Sequence, residues 1–460
     1  MIDNTGRNHS QTEGDVNLTE ERKNWNAGIK GALTNDILEK DAKYFLHQSL
    51  STPCLDVIDS SNGIDIINLE GKIYIDFHGN NVHHLGYQNS YILERVKAQL
   101  DLLPFSPRRF TNLPAVNLAE ELIRLTSGKL SRVLFSPGGA SAMSMALKLA
   151  RVATGKYKTI SMYGAFHGAS MDSISVGGEY MFRQQLGPLL PGNILVPPPD
   201  SYRGIWYNDN LPEGDLAYAD YVEYIIEKEG DIGAVIAETI RSTTVHIPSH
   251  GYWKRIREIC DKHQVLLIMD EIPIGMGRTG SMFAYQYYGI VPDMLVLGKG
   301  LGAGIVPMAA MLCREELNVA GHVALGHFTH EKNPLGATAA LAALDYMKEY
   351  NVLEHVHILE LWMRSRLEGL QKQFEAIGQV RGIGLLWGIE LVKSRETKEK
   401  DIQLAERVLY RCLKNGLSIK VSDGNVLSLY PPLIITETEL SNAMMILEEA
   451  IRDAMGIKKI

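Results

Sequence analysis

Two short apolar runs in this chain each end on a residue that can do chemistry. Val265-Leu266-Leu267-Ile268-Met269 runs into Asp270-Glu271, and Met294-Leu295-Val296-Leu297 runs into Gly298-Lys299-Gly300. Continuous apolar stretches of this length predict strands buried on both faces of a parallel sheet. Open α/β sheets collect ligands in the crevice beyond the carboxyl ends of their strands. A carboxylate and a primary amine delivered there together can hold a cationic heterocycle and form an imine with an aldehyde.

Those two capacities meet in pyridoxal phosphate chemistry. The lysine amine condenses with the aldehyde, and the carboxylate keeps the pyridine nitrogen protonated, so that the ring accepts electrons from a substrate carbanion. A lysine or aspartate alone at a strand end is usually solvated, so the neighbouring motifs have to decide. Leu134-Phe135-Ser136-Pro137-Gly138-Gly139-Ala140-Ser141 leads into a helix pattern over residues 142–151. Exposed N–H groups and the positive helix end make Gly138, Gly139 and Ala140 a candidate phosphate cradle. The glycines from Gly298 to Gly304 look like a nucleotide loop, but no spaced acidic residue or helix supports a dinucleotide site.

Further motifs lie in a fixed order around the pair. Asp270-Glu271 continues into Ile272-Pro273-Ile274-Gly275-Met276-Gly277-Arg278-Thr279-Gly280, and Pro292-Asp293 precedes the run that ends in Gly298-Lys299-Gly300-Leu301-Gly302-Ala303-Gly304. Ala165-Phe166-His167-Gly168, Asn333-Pro334-Leu335 with Thr329 four places earlier, and Val380-Arg381-Gly382-Ile383-Gly384 complete the set. From about Asp76 onward the chain resembles the class III aminotransferase family, fold type I of the pyridoxal phosphate enzymes. That resemblance implies an α/β fold, with a large, mostly parallel, doubly wound sheet domain and a smaller α+β domain built from both chain ends. By the same resemblance Lys299 is the Schiff-base lysine and proton shuttle, Asp270 partners the pyridine nitrogen, Phe166 stacks on the ring with His167 beside it, and Glu238 supports the site from another strand end. Thr329 would reach the cofactor phosphate of the opposite subunit, which implies a homodimer or higher assembly with active sites at the subunit interface.

The rim departs from the family pattern. Pro137-Gly138-Gly139-Ala140-Ser141-Ala142 stands where an Asn-Ser-Gly-Ser-Glu-Ala type sequence is usual, Thr239 replaces a proline, and Thr-Phe-Gly-Gly-Asn becomes Thr329-His330-Glu331-Lys332-Asn333. Cations collect in these places: Arg108 and Arg109 in Ser106-Pro107-Arg108-Arg109-Phe110, then Arg241, His330 and Lys332. Guanidinium forks suit phosphonate, phosphate or carboxylate oxygens, so a small anionic amine is the expected substrate. Together with Asp76-Phe77-His78-Gly79-Asn80-Asn81-Val82-His83-His84-Leu85-Gly86-Tyr87, the chain looks like the lyase branch of the family that converts (R)-1-hydroxy-2-aminoethylphosphonate to phosphonoacetaldehyde and ammonia. The alternative is an ω-aminotransferase acting on 2-aminoethylphosphonate or another ω-amino acid, with Arg241 or Arg381 as the switchable arginine that a keto-acid acceptor needs. A catalytically silent cofactor-binding regulator is a third reading, for which no DNA-binding segment is appended.

Composition agrees. A chain of 460 residues, 45% hydrophobic and 22% charged, exceeds what one core usually organises, so at least two lobes are expected. The division predicted is an N-terminal segment with part of the small domain over 1–88, a cofactor-binding domain over 89–347 and a C-terminal small domain over 348–460. A net charge of −8 argues against nucleic acid and anionic membrane partners. Cys54, Cys260, Cys313 and Cys412 show neither zinc nor disulfide spacing, and no run approaches the roughly 18 apolar residues of a membrane span, so a cytoplasmic protein is expected. The polar stretch before about Lys30 is expected to be disordered or to wrap a partner subunit. His83-His84 reads as a strand pair pointing to opposite faces, which argues against a metal site, and no metal is expected. Tyr430-Pro431-Pro432 reads as a strand-end turn near the pocket.

Overall fold

The computed structural model describes residues 19–28, 31–46, 48, 54–206 and 214–457; the opening stretch before Thr19 lies outside the described residues. Seven strands form the central sheet, in the order Arg132–Ser136, Ala309–Cys313, Met294–Leu297, Leu266–Asp270, Ile232–Glu238, Lys158–Met162 and Asn193–Val196. Ala309–Cys313 runs antiparallel to both its neighbours, whereas the remaining adjacent pairs are parallel. The period of two sorts their side chains. Val235 and Ala237 enter one core with Leu267 and Met269, and Ala234 and Ile236 enter the opposite core with Ile268. Helix His250–His263 covers the first face with Tyr252, Trp253 and Ile256, and helix Gly139–Thr154 covers the second with Met143, Ala146 and Ala150. Burial on both faces is the reason these strands read as unbroken apolar runs.

The smaller lobe draws on both chain ends. Ile58–Asn62, Asp65–Asn68 and Ile73–Asp76 make an antiparallel meander, and Leu417–Ser418 adds to its edge parallel to Ile73–Asp76. A second sheet orders Ile377–Ile383, Leu386–Leu391, Val426–Leu429 and Lys420–Ser422. Helix Pro334–Glu349 serves both lobes: Ala337, Ala340 and Leu344 face the large core, and Ala339, Ala343 and Met347 face the small one. Residue 347 is thus inside a shared helix. Arg278, fully buried, fastens the lobes by donating from Nη1 to the Leu385 carbonyl at 3.1 Å and to the Pro431 carbonyl.

His83 and His84 differ from their expected placement. They follow a short turn, Gly79–Asn81, and both rings are buried. The cause is Asp76, whose Oδ1 accepts from the His78 and Gly79 N–H groups at 2.9 and 3.1 Å and turns the chain out of the strand. Among the described residues, no helix is long and apolar enough to cross a membrane.

Candidate active site

A cavity of about 600 Å³ opens at the carboxyl ends of the central strands. Its floor is set by sheet register. Glu238 pairs with Asp270 across adjacent strands, Asp270 pairs with Val296, and Lys299 follows two residues after the Met294–Leu297 strand ends. Amine and carboxylates therefore arrive side by side.

Asp270 is 1% exposed, and both its oxygens are engaged. His167 Nδ1 lies 2.8 Å from Oδ2, and the Ile272 N–H donates to Oδ1 at 3.0 Å. Burial disfavours a charged His167 ring, but the Asp270 hydrogen bond and negative charge prevail and raise the imidazole above its ordinary value. His167 thus sits against the carboxylate and holds its orientation; its Nε2 is buried with no hydrogen-bond partner among the described residues. Glu238 accepts from the Phe166 N–H through Oε1 and the Ser242 N–H through Oε2, each at 3.2 Å. Burial pushes this carboxyl up, against the opposing pull of His167 and Arg241. The Phe166 ring lines the cavity and packs on Phe182 with centroids 4.4 Å apart.

Lys299 adopts φ +46°, an uncommon region for a residue with a side chain, and strain of this kind concentrates at functional sites. Glycine on each side lets the chain turn there. A Cβ at Gly300 would stand 2.5 Å from His84 Nδ1, and one at Gly298 would stand 3.1 Å from Ile272 Cγ2. The cradle takes the form expected from its glycines. Helix Gly139–Thr154 starts at the cavity with Gly138 as a cap that offers no side chain, so its first N–H groups are left for a ligand. A Cβ at Gly139 would meet Ile272 Cδ1 at 2.7 Å, and one at Gly168 would meet the Ala140 Cβ at 2.7 Å.

The far wall comes from other parts of the chain: His78, Asn80, Asn81 and Val82 from the turn after Ile73–Asp76, Thr243, Lys420 from Lys420–Ser422, and Tyr430. Tyr430 donates its hydroxyl to the Ser242 carbonyl at 2.5 Å. Lys420 carries no motif that marks it in the sequence, and His78 lies in the Asp76 to Tyr87 stretch with no role of its own marked there; the small lobe brings both to the cavity.

Of the residues singled out by sequence, Gly138, Gly139, Ala140, Phe166, His167, Glu238, Asp270 and Lys299 share this cavity. The others lie elsewhere in this chain. Arg108 stands 3.6 Å from Glu331, Phe105 meets His330 edge-on at 5.2 Å, and Asn112 donates to the Lys332 carbonyl at 2.9 Å. Segments 105–112 and 329–333 thus pack on one another outside the cavity, with Arg109 and Thr329 exposed beside them. Arg241 turns behind Glu238 into a second, small cavity with His246 and Trp253, its Nη1 against Gly164.

The matching family model is aminotransferase class-III, over residues 47–451. The chain belongs to the class III aminotransferase family. It is 51% identical to an (R)-1-hydroxy-2-aminoethylphosphonate ammonia-lyase from Vibrio splendidus, across 96% of this chain and 95% of that one. A leucine/methionine racemase from Thermococcus litoralis is 32% identical across 91% of this chain and 95% of its own. Among solved structures, a taurine:2-oxoglutarate aminotransferase from Bifidobacterium kashiwanohense with pyridoxal phosphate and glutamate superposes with a TM-score of 0.86, at 25% identity, covering 94% of this chain and 100% of that one. Pyridoxal phosphate is the cofactor of this class III enzyme, and the cavity fits it. An amine, a buried carboxylate braced by His167, an aromatic ring and a glycine-capped helix start line it, the groups that would hold an aldehyde, a pyridine nitrogen, a ring face and a phosphate.

Proposed function

We propose that this protein is an ammonia-lyase that converts (R)-1-hydroxy-2-aminoethylphosphonate to phosphonoacetaldehyde and ammonia in aminophosphonate catabolism, working as a cytoplasmic homodimer or higher assembly. The observation that carries the reading is the placement of cations around the cavity. A transaminase must admit a keto acid after its amine, and neither of the two arginines considered for that role lines this cavity. Arg381 donates to Glu390 at 2.6 Å and to the Thr244 carbonyl at 2.8 Å, and Arg241 faces the rear cavity. Lys420 lines the far wall, opposite the residues that would hold the cofactor, and carries a point charge suited to phosphonate oxygens. The 51% identical ammonia-lyase supports the same assignment.

When bound, pyridoxal phosphate supplies an electron sink for the carbanion formed at the amine-bearing carbon. The chain does the rest. Lys299 Nζ would take the proton from that carbon, Asp270 would hold the pyridine N–H while His167 keeps Asp270 in place, and Phe166 would cover the ring. Lys420 anchors the phosphonate, which fixes the neighbouring hydroxyl-bearing carbon above the floor. Loss of hydroxide from that carbon leaves an enamine, and addition of water then yields the aldehyde and ammonia. Exposed Thr329, with Arg108, Arg109, His330 and Lys332 near it, would complete the site of a second subunit.

The test is turnover without a keto acid. Purified holoenzyme given the hydroxylated aminophosphonate alone should release ammonia and phosphonoacetaldehyde over many cycles. A single turnover that stops with the cofactor in its pyridoxamine form would instead establish an aminotransferase acting on 2-aminoethylphosphonate or another ω-amino acid.

A further inference from the structure

Hydroxide is a poor leaving group, so breaking the carbon–oxygen bond requires a proton donor placed on the substrate side of the cavity. Resting on the lyase reading above, we propose that His78 is that donor, its imidazolium passing a proton to the departing oxygen as the C–O bond breaks. The electron pair of that bond goes to oxygen, which leaves as water, and His78 is neutral until solvent reprotonates it. The proton taken from the amine-bearing carbon is held on Lys299 only until product release, when it is given up toward the enamine carbon or to solvent, so that the lysine returns to its neutral amine and the protons balance over one turnover.

Besides the carboxyls of Asp270 and Glu238, whose oxygens accept from His167 and the Ile272 N–H and from the Phe166 and Ser242 N–H groups, four other titratable side chains line this cavity among the described residues, and each has another task. Lys299 carries the carbon proton. His167 is bound to Asp270 at 2.8 Å. Tyr430 donates to the Ser242 carbonyl at 2.5 Å. Lys420 is the group assigned to the phosphonate in the lyase reading.

The backbone around His78 is built to hold it. Gly79, Asn80 and Asn81 adopt φ +43°, +46° and +59°, three successive residues in a region that side-chain-bearing residues seldom enter. Asp76, at the end of Ile73–Asp76, clamps this turn through the His78 and Gly79 N–H groups, and Tyr87 donates to its other oxygen at 2.6 Å. The His83 ring packs over Gly79, so that a Cβ there would collide with it. The same carboxylate that makes the turn is itself buried, so the position of His78 at the cavity is fixed from beneath. Strain held by a surrounding framework and aimed at a cavity is the pattern of a functional position.

The test compares wild type with His78→Gln, using the hydroxylated substrate, its 1-fluoro analogue and 2-aminoethylphosphonate. In H78Q, bound-cofactor absorbance and the affinity for 2-aminoethylphosphonate, which has nothing to expel, should stay within about threefold of wild type, and deuterium exchange at its amine-bearing carbon should persist. Ammonia release from the hydroxylated substrate should fall roughly 10²- to 10⁴-fold. Fluoride leaves without a proton, so the 1-fluoro analogue should restore H78Q to within about tenfold of wild type. Near-normal ammonia release by H78Q, or a loss of carbon exchange as large as the loss of ammonia, would overturn the assignment. If wild type itself releases no ammonia, the lyase reading falls and His78 with it; if only the variant comparison fails, the lyase reading stands.

Discussion

The floor and the far wall of one cavity are made in different ways. On the floor, Glu238, Asp270 and Lys299 sit at or just beyond the ends of strands locked in register between two cores, and His167, Phe166 and Ser242 hydrogen-bond to the two carboxylates. On the far wall, His78, Lys420 and Tyr430 come from a strained turn, a short edge strand and the smaller lobe, joined to the floor through Arg278. A register-locked floor suits chemistry that all members of the family share, namely holding one cofactor. A wall assembled from a second lobe can change without disturbing the sheet, and this is where one family can diverge into racemases, aminotransferases and lyases.

Substitutions should separate the two regions. Lys299→Ala removes both the imine-forming amine and the proton acceptor, and turnover should fall by about 10⁴-fold or more, with the visible cofactor absorbance lost. Asp270→Asn should cost on the order of 10³-fold in kcat with KM little changed, since the lost electrostatic support acts on the developing charge rather than on substrate binding. On the wall the balance should reverse. Lys420→Met should raise KM for the phosphonate about 30- to 100-fold, the equivalent of a charged hydrogen bond worth roughly 2–3 kcal/mol, while 2-aminoethylphosphonate loses affinity in parallel and cofactor absorbance is retained. Equal kcat and KM effects in Lys420 and Asp270 variants would erase the distinction.

The smallest effect concerns pH. Glu271 lies next to Asp270 but faces away from the cavity, accepting from Thr239 Oγ1 and the Ala284 and Tyr285 N–H groups at 2.9, 2.6 and 2.7 Å. Burial outweighs these bonds and pushes its carboxyl from 4.5 up to about 7. The folded protein then binds a proton that the unfolded chain has released, so this group's stabilising contribution is complete below pH 4.5 and is lost as pH rises toward 7. By linkage the loss amounts to at most roughly 3 kcal/mol. Urea unfolding at pH 5 and pH 7.5 should show this slope in wild type and a flatter one in Glu271→Gln, with activity changed far less than in the Asp270 variant.

Much of the floor was legible because its signals are local. An unbroken apolar run means burial on both faces, a glycine pair before a helix means open N–H groups, and a carboxylate or lysine at a run's end means a residue at the crevice. The same logic failed for His83-His84, because the turn that buries both rings is made by Asp76 reaching back to two N–H groups, a contact that period-two reasoning does not contain. It also grouped Arg241 with the rim, although its side chain passes behind Glu238.

Taken alone, the amino-acid sequence determined the α/β class, the strand-end pair Asp270 and Lys299, the glycine cradle and the cofactor they serve, since each follows from hydrophobic periodicity, turn chemistry or motif order along a few residues. Tertiary structure alone decided which cations line the far wall of the cavity. His78 and Lys420 lie more than three hundred residues apart and meet only because the strand Leu417–Ser418 pairs with Ile73–Asp76 and carries the following edge strand to the cavity. Sheet pairing between distant segments is set by the burial of a whole core, and no local pattern encodes it.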